Sequence, residues 1–303
     1  MDTGPLRGRT VVVTGAARGI GAALAHELAR RGAHVALLGH EREGLEATAA
    51  ALPGRSLAVE ADVTDLGALR AAAREVRERL APPSAVVANA GIAAGGPFLA
   101  SDPEGWRRVL DVNVVGSAHT ARAFLPDLLA TSGYFLQIAS VAAFGGAPLL
   151  SAYSVSKAGV EAFAHTLRAE TAHRGVAVGI AYLNWVDTAM LGGVEEHGAL
   201  RGLRASMPPP ARGSTDAGTV AARLARAVER RRTAVYVPGW LRLVQPVRAA
   251  LPPVVLRVAR RRVPRIEATA PFRDTGPLGA GGRADRPGVG EPGADRPGAG
   301  PGV

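Results

Sequence analysis

The sequence has no cysteine, which excludes a disulfide framework, a thiolate nucleophile and Cys-ligated zinc or iron–sulfur centres. A reducing cytosol suits such a chain, although other compartments would too, and redox chemistry must come from a bound cofactor. Of 36 basic residues only Lys157 is a lysine, and asparagine occurs only as Asn89, Asn113 and Asn184. In a chain biased toward Arg, Ala, Gly and Pro, such rare residues mark positions where Arg or Asp would not serve. No window reaches the ~18 uninterrupted apolar residues of a spanning helix. Residues 1–9, with Asp2, lack the apolar stretch of a signal peptide. A soluble, cytoplasmic protein is expected. His26, His119, His165 and His173 show no H-x-x-x-H or carboxylate pairing, so no metal site is predicted.

What is present is a long chain with ample material for a core. With 303 residues, 47% of them hydrophobic, a wholly disordered protein is excluded. The net charge of +10 is local: residues 223–265 hold 12 Arg and one Glu, net +11, which leaves the rest at −1. That segment interleaves arginines with apolar residues such as Trp240, Leu243, Val247, Val254 and Val258. It reads as a C-terminal extension packed beside a pocket or a partner subunit with its arginines solvated, or as an interfacial helix on anionic lipid. Nucleic acid is the least favoured partner.

From Thr10 onward, short β-rich apolar runs alternate with longer helical stretches, the pattern of βαβ units around a parallel sheet. Strands are expected at Thr10 to Thr14, His34 to Leu38, Ser56 to Glu60, Ala85 to Ala88, Gly133 to Ile138, Val176 to Tyr182 and Thr233 to Val237. The fold class is therefore α/β, a Rossmann-like doubly wound parallel sheet of about seven strands with helices on both faces. Helices are expected over Gly19 to Arg31, Asp65 to Leu80 and Tyr153 to His173. Another follows Ser101, where Ser101-Asp102-Pro103-Glu104 has capping-box spacing with Pro at the first helical position. Residues Ala189 to Ser214, Gly- and Pro-rich without clear period, read as a mobile loop over a site. Residues 1–267 are expected to make one Rossmann-type domain, with 238–267 as its basic, apolar extension. The Gly/Pro-rich segment 268–303, in which Ala284-Asp285-Arg286-Pro287-Gly288 recurs at 294–298, reads as a disordered tail.

Thr14-Gly15-Ala16-Ala17-Arg18-Gly19-Ile20-Gly21 follows the first strand and opens a helix. Glycines in that position let the backbone approach a pyrophosphate, whose charge the helix N-terminus favours. The spacing is not G-x-G-x-x-G; it resembles the T-G-x-x-x-G-x-G turn of the short-chain dehydrogenase/reductase family. Asp62-Val63, Asn89-Ala90-Gly91, Asn113, Ser140 and Tyr153-Ser154-Val155-Ser156-Lys157 follow in that family's order. The resemblance runs from about Thr10 to Val237. It implies catalytic roles for Asn113, Ser140, Tyr153 and Lys157, with the only lysine at the catalytic position. It also implies cofactor contacts from Gly15, Arg18, Gly19, Ile20, Gly21, Asp62, Val63, Asn89, Ala90, Gly91, Tyr153, Lys157, Val186 and Thr188.

The chemistry explains the residue types. Tyr153 and Lys157 lie four positions apart, one turn of a helix, on one face. A phenol ionises near ~10, and a neighbouring ammonium stabilises its phenolate. Tyr153 would protonate a carbonyl oxygen or deprotonate an alcohol, with the Ser140 hydroxyl holding that oxygen and the cofactor supplying the hydride. By resemblance, Lys157 also binds ribose hydroxyls, and Asn113 positions a water that relays protons to it.

Two features depart from the family or bear on the cofactor. Leu183-Asn184 replaces the usual Pro-Gly before Val186 and Thr188, and Trp185 is either a wall of the pocket or core. At the end of the second strand Gly39 occupies the position of the acid that NAD enzymes use. Arg18, with Arg42 or His40, could bind a 2′-phosphate there, so NADP is preferred over NAD, with Glu41 one short shift from the acid's place.

The expectation is an NAD(P)(H)-dependent oxidoreductase interconverting a secondary alcohol and a ketone, with a lipophilic substrate. The alternative is a catalytically silent dinucleotide-binding redox sensor that the basic extension would associate with a membrane. The resemblance implies a homodimer or homotetramer paired through the helices near Pro103 to Ala130 and Tyr153 to His173.

Overall fold

The computed structural model describes residues 4–269 and 273–279. Strands β1 (Thr10–Thr14), β2 (His34–Gly39), β3 (Ser56–Glu60), β4 (Ala85–Ala88), β5 (Tyr134–Ser140), β6 (Ala177–Leu183) and β9 (Ala234–Val237) form one sheet in the order β3-β2-β1-β4-β5-β6-β9. Every pairing is parallel. The order reverses direction between β1 and β4, which opens the crevice in which doubly wound sheets bind ligands. All seven expected strands are present, with ends shifted by a residue or two.

Alternate residues of each strand face opposite layers, so the central strands are apolar throughout. Val12, Ala36, Leu38, Val86 and Phe135 pack under α3 (Leu66–Arg79), α5 (Gly116–Ala130) and α6 (Ser151–Thr171). Val11, Val13, Leu37, Val87 and Leu136 pack under α1 (Gly19–Arg30), α2 (Arg42–Ala50) and α10 (Ala217–Glu229). A fully buried Val or Leu of this kind contributes roughly 1.5–3 kcal/mol.

Local details differ from the sequence expectations in three places. Helix α4 (Pro103–Leu110) is capped by Asp102, whose carboxylate accepts from the Gly105 N–H at 2.7 Å. Ser101 instead donates to the Phe98 carbonyl at 2.8 Å, so Pro103 is first in the helix as expected but Ser101 is not its cap. The stretch read as a mobile loop over 189–214 forms helices α7 (Ala189–Glu196), α8 (Gly198–Ala205) and α9 (Pro209–Arg212), each too short to declare a period. Between them and the main sheet, β7 (Trp185–Asp187) pairs in parallel with β8 (Ser214–Asp216).

The third difference is at the C-terminal end. Residues 238–267 form α11 (Leu241–Val244) and, after a 3₁₀ segment over Gln245–Ala250, α12 (Leu251–Thr269). Residues 273–279, inside the stretch read as a disordered tail, dock on the body. The Thr275 N–H donates to the Gly95 carbonyl at 2.9 Å, the Leu278 N–H to the Ala93 carbonyl at 2.7 Å, and the Gly95 N–H to Thr275 Oγ1 at 2.8 Å. Leu278 is buried. Residues 280–303 of that expected tail lie outside the described residues.

Candidate active site

The glycine turn is built around backbone that tolerates no side chain. Gly15 and Gly19 have φ of +63° and +56°. A Cβ on Gly15 would lie 2.8 Å from Ala90 Cα, and one on Gly21 would lie 2.1 Å from the Gly15 carbonyl oxygen. Such contacts require glycine. Thr14 Oγ1 accepts from the N–H groups of Asn89 and Ala90, both at 3.1 Å. Asn89 Nδ2 donates back to the carbonyls of Thr14 (2.9 Å) and Gly15 (3.2 Å). Asn89 therefore clamps the turn, and Thr14, which the sequence reading gave no role, is the other half of the clamp; its position just before the first glycine was the available signal.

Beside this turn lies a cavity of about 210 Å³ lined by Gly15, Arg18, Gly19, Ile20, Gly21, Gly39, His40, Glu41, Asp62, Val63, Asn89, Ala90, Gly91, Thr188 and Leu278, among others. The glycine cradle, the free N–H groups at the start of α1 and the flanking polar groups fit a dinucleotide. Arg18 forms an ion pair with Glu41 across the end of β2, with His40 Nε2 3.8 Å from the same carboxylate. Burial works to raise the Asp62 carboxyl, but hydrogen bonds from the Thr64 backbone (2.8 Å) and Arg108 (3.2 Å) outweigh it and hold the group below its ordinary range. Val186 is buried in the core beneath the cavity, and its carbonyl accepts from the Thr188 hydroxyl at 3.2 Å.

Where α4 passes into α5, a π-helical turn over Asp111–Val115 swings Asn113 inward. Such wide turns re-aim side chains. Asn113 Oδ1 accepts from the Ile92 N–H at 2.8 Å, and its Nδ2 donates to the Ile92 carbonyl and to Ser156 Oγ, both at 2.9 Å. Lys157 is buried, with Nζ 3.4 Å from the Ile138 carbonyl and 5.5 Å from the centre of the Tyr153 ring. A Cβ on Gly91 would lie 3.1 Å from Asn113 Oδ1 and 3.6 Å from Lys157 Nζ. Gly91 thus joins the cavity beside the glycine turn to the Asn113 and Lys157 side chains.

Ser140 ends β5, its Oγ accepting from the Ala142 N–H at 3.2 Å and lying near enough to the Tyr153 hydroxyl to act on its ionisation. The four residues expected to act together are brought together. Burial pushes the Tyr153 phenol up, and the Ser140 hydroxyl pulls it partly back. Burial lowers Lys157 to about 8. In the protein without cofactor, the balancing influence on Tyr153 comes from Ser140 rather than from the ammonium expected from the sequence.

Tyr153 and Trp185 pack against an apolar cluster of Ala93, Leu150, Leu191, Val194, Leu200 and Leu278. Helices α7 and α8 and the 273–279 strap thus supply much of the wall around the phenol. Asn184, at the departure from Pro-Gly, donates through Nδ2 to the carbonyls of Ala211 (3.0 Å) and Gly213 (3.1 Å), and its N–H donates to Val237 at 2.9 Å. It thereby fixes the exit of β6 to α9. A larger cavity of about 480 Å³ lies on the other side of the strap, among Gly95, Gly96, Trp106, Leu149, Asp274 and Pro277. None of Asn113, Ser140, Tyr153 and Lys157 lines it.

Helix α6 is anchored at its far side by a buried carboxylate. Glu161 accepts from the Tyr182 hydroxyl at 2.6 Å and forms an ion pair with Arg248. Burial and Glu161 push the Tyr182 phenol upward. Gln245 Nε2 donates to the Tyr182 hydroxyl at 3.3 Å, and the Tyr236 hydroxyl donates to Gln245 Oε1. Removing one partner of such a buried pair is strongly destabilising. The network ties the helix carrying Tyr153 and Lys157 to the C-terminal extension, a link that a lone Glu in a helical pattern does not signal.

A family model described as short chain dehydrogenase matches residues 9–198. The chain belongs to the short chain dehydrogenase family. That places it among NAD(P)-dependent oxidoreductases, and the nucleotide is the one the glycine cradle fits. The match ends within α8, so the C-terminal extension and the strap lie outside it.

The chain is 37% identical over 193 residues to the glycine betaine reductase ATRR of Emericella nidulans, covering 62% of this chain but only 15% of that protein. It is 33% identical over 194 residues to carbonyl reductase family member 4 of Danio rerio, covering 64% of this chain and 82% of that one. With the acetoacetyl-CoA reductase of a Synechocystis species it shares 35% identity over 192 residues, 63% of this chain and 77% of the other.

Proposed function

We propose that this short chain dehydrogenase interconverts a secondary alcohol and a ketone, with Tyr153 as general acid and base. The observation that carries the reading is the convergence of two groups on one phenol: the Ser140 hydroxyl pulls the ionisation of Tyr153 back from the effect of burial, and Lys157 Nζ lies 5.5 Å from the centre of the same ring with Asn113 behind it. The bound dinucleotide supplies or takes up the hydride. Ser140 and Tyr153 then converge on one substrate oxygen, Ser140 as a fixed donor and Tyr153 as the proton source in the reducing direction. A phenol held up by burial is protonated at neutral pH, which suits that role. Lys157, charged below about 8, stabilises the phenolate left behind. Asn113, held by Ile92 and Ser156, keeps the floor of the site in place.

NADP(H) is the proposed cofactor form. Gly39 ends β2 with no carboxylate, and Arg18 with His40 lines the cavity there. A 2′-phosphate would take the place of Glu41 as the partner of Arg18. The substrate is proposed to be a lipophilic carbonyl compound, since Leu150, Leu191, Leu200 and Trp185 surround Tyr153. Pairing of two chains through the stretch near Pro103 to Ala130 and through α6 is supported by Val115, in the π-helical turn before α5, and Val155, which are 39% and 49% exposed.

Fluorescence titration with NADPH and NADH, followed by turnover against a panel of aliphatic and aromatic ketones, tests the reading. Tight binding with turnover of at least one apolar ketone is expected. Binding without turnover on any carbonyl would transfer the protein to the silent-sensor class.

A further inference from the structure

Nine large apolar side chains are exposed among the described residues, and five of them fall between positions 243 and 258: Leu243 at 72%, Val247 at 60%, Val254 at 51%, Leu256 at 52% and Val258 at 45%. Helix α12 already has a buried side. Its inner row of Leu251, Val255, Ala259, Val263 and Ile266, at near-helical spacing, faces the body; Leu251 packs toward Gly145 and Ile266 toward Gly202. Val254 and Val258, one turn apart, are therefore apolar residues the fold does not use. A local concentration of this kind marks an interaction surface.

The same face is cationic. Arg242, Arg257, Arg260, Arg261, Arg262 and Arg265 are exposed and make no ion pair among the described residues. Arg248 is the exception, turned inward to Glu161. Residues 223–265 as a whole carry 12 Arg against one Glu. A second copy of this face would bring like charges together, and a nucleic acid would leave the valines and leucines in water. An anionic lipid surface satisfies both: phosphates meet the guanidinium groups while the aliphatic side chains enter the headgroup boundary.

We propose that the exposed face of α11 and α12 docks on the surface of anionic bilayers. No described helix is long and apolar enough to cross a membrane, so the segment lies in the interface rather than through it. The docking is independent of the proposed reaction.

Flotation of the full chain with phosphatidylcholine vesicles, and with vesicles that also contain phosphatidylglycerol, tests the proposal at low and high salt. Circular dichroism and thermal unfolding confirm that each variant is folded. Binding to the anionic vesicles alone is expected, weakened by salt. It should fall by roughly tenfold or more in Arg260→Glu/Arg261→Glu and in Val254→Asp/Val258→Asp. No flotation with either vesicle overturns the proposal, as does equal flotation with both. Vesicle binding indifferent to the Val→Asp pair overturns the mixed face. Two further results count against it: duplex DNA binding without vesicle binding, and a dimer that the Val→Asp pair disperses without vesicle binding.

Discussion

The ammonium of Lys157 lies over the ring of Tyr153, 5.5 Å from its centre, while the Ser140 hydroxyl acts on the ionisation of the same phenol from the end of β5. The cation and the strand-end hydroxyl address different parts of one phenol. Helix α6 sets the first relationship by its four-residue spacing and β5 sets the second.

Replacing Tyr153 with Phe removes the proposed proton donor and leaves the ring packing and the glycine cradle intact. NADPH affinity should stay within about twofold, while turnover falls by about 10²–10⁴, the range of a lost general acid. Turnover close to that of the parent protein would remove Tyr153 from its role. Stopped-flow and titration measurements on one preparation read both quantities.

Lys157 is buried and its ammonium is held at about 8 against an ordinary value near 10.5. Below about pH 8 both folded and unfolded chains are protonated, and the folded one bears the full penalty of burying charge. Between about 8 and 10.5 the unfolded chain keeps a proton that the folded chain has lost, so stability rises with pH; above that range the penalty is gone. Lys157→Met should therefore raise the stability of the cofactor-free protein at pH 7 by up to roughly 3 kcal/mol and abolish turnover. Urea unfolding at pH 7 and pH 10 checks this: the gain should shrink at the higher pH. In the parent protein, ketone reduction should decline as pH rises through about 8, when the ammonium discharges.

A Cβ at Gly39 meets only ordinary contacts, the nearest being Leu45 Cδ2 at 3.5 Å. Gly39→Asp can therefore be built without disturbing β2. It places a carboxylate where a 2′-phosphate would lie and where a 2′-hydroxyl could donate. NADPH affinity should drop by about tenfold or more and NADH affinity should rise, as read by the ratio of Kd values. An unchanged ratio would show that the end of β2 does not discriminate between the two.

Leu278 closes the wall shared by the nucleotide cavity and the apolar cluster around Tyr153. Leu278→Ala should cost about 2 kcal/mol or more locally and speed amide exchange at 273–279. It should also raise kcat/KM for bulky ketones relative to small ones. A size series of ketones on parent and variant, with hydrogen exchange by mass spectrometry, separates this from general loosening.

The sheet was legible, and the proposed catalytic set stood out, because both are repeated, spaced signals. Seven β-rich runs buried on both sides announce themselves, and Asn113, Ser140, Tyr153 and Lys157 fall in order along them. Isolated contacts leave no such trace. Asn184 looked like a lesion in a familiar turn, yet its side chain holds α9 in place. Glu161 drew no notice in the sequence, a single carboxylate within a helical pattern, yet it is a buried anchor for Tyr182 and Arg248. The 189–214 helices are hidden by Gly and Pro and by their length. The strap was obscured by its composition: Gly276, Pro277 and Gly279 argue for disorder, while the decisive residues, Thr275 and Leu278, act through partners some 180 positions away.

That strap gives the enzyme a roof made from its own downstream chain. If ligands exchange beneath it, every round requires a few main-chain hydrogen bonds and one leucine to let go and re-engage. That opening adds to each round a step with the temperature response of local melting.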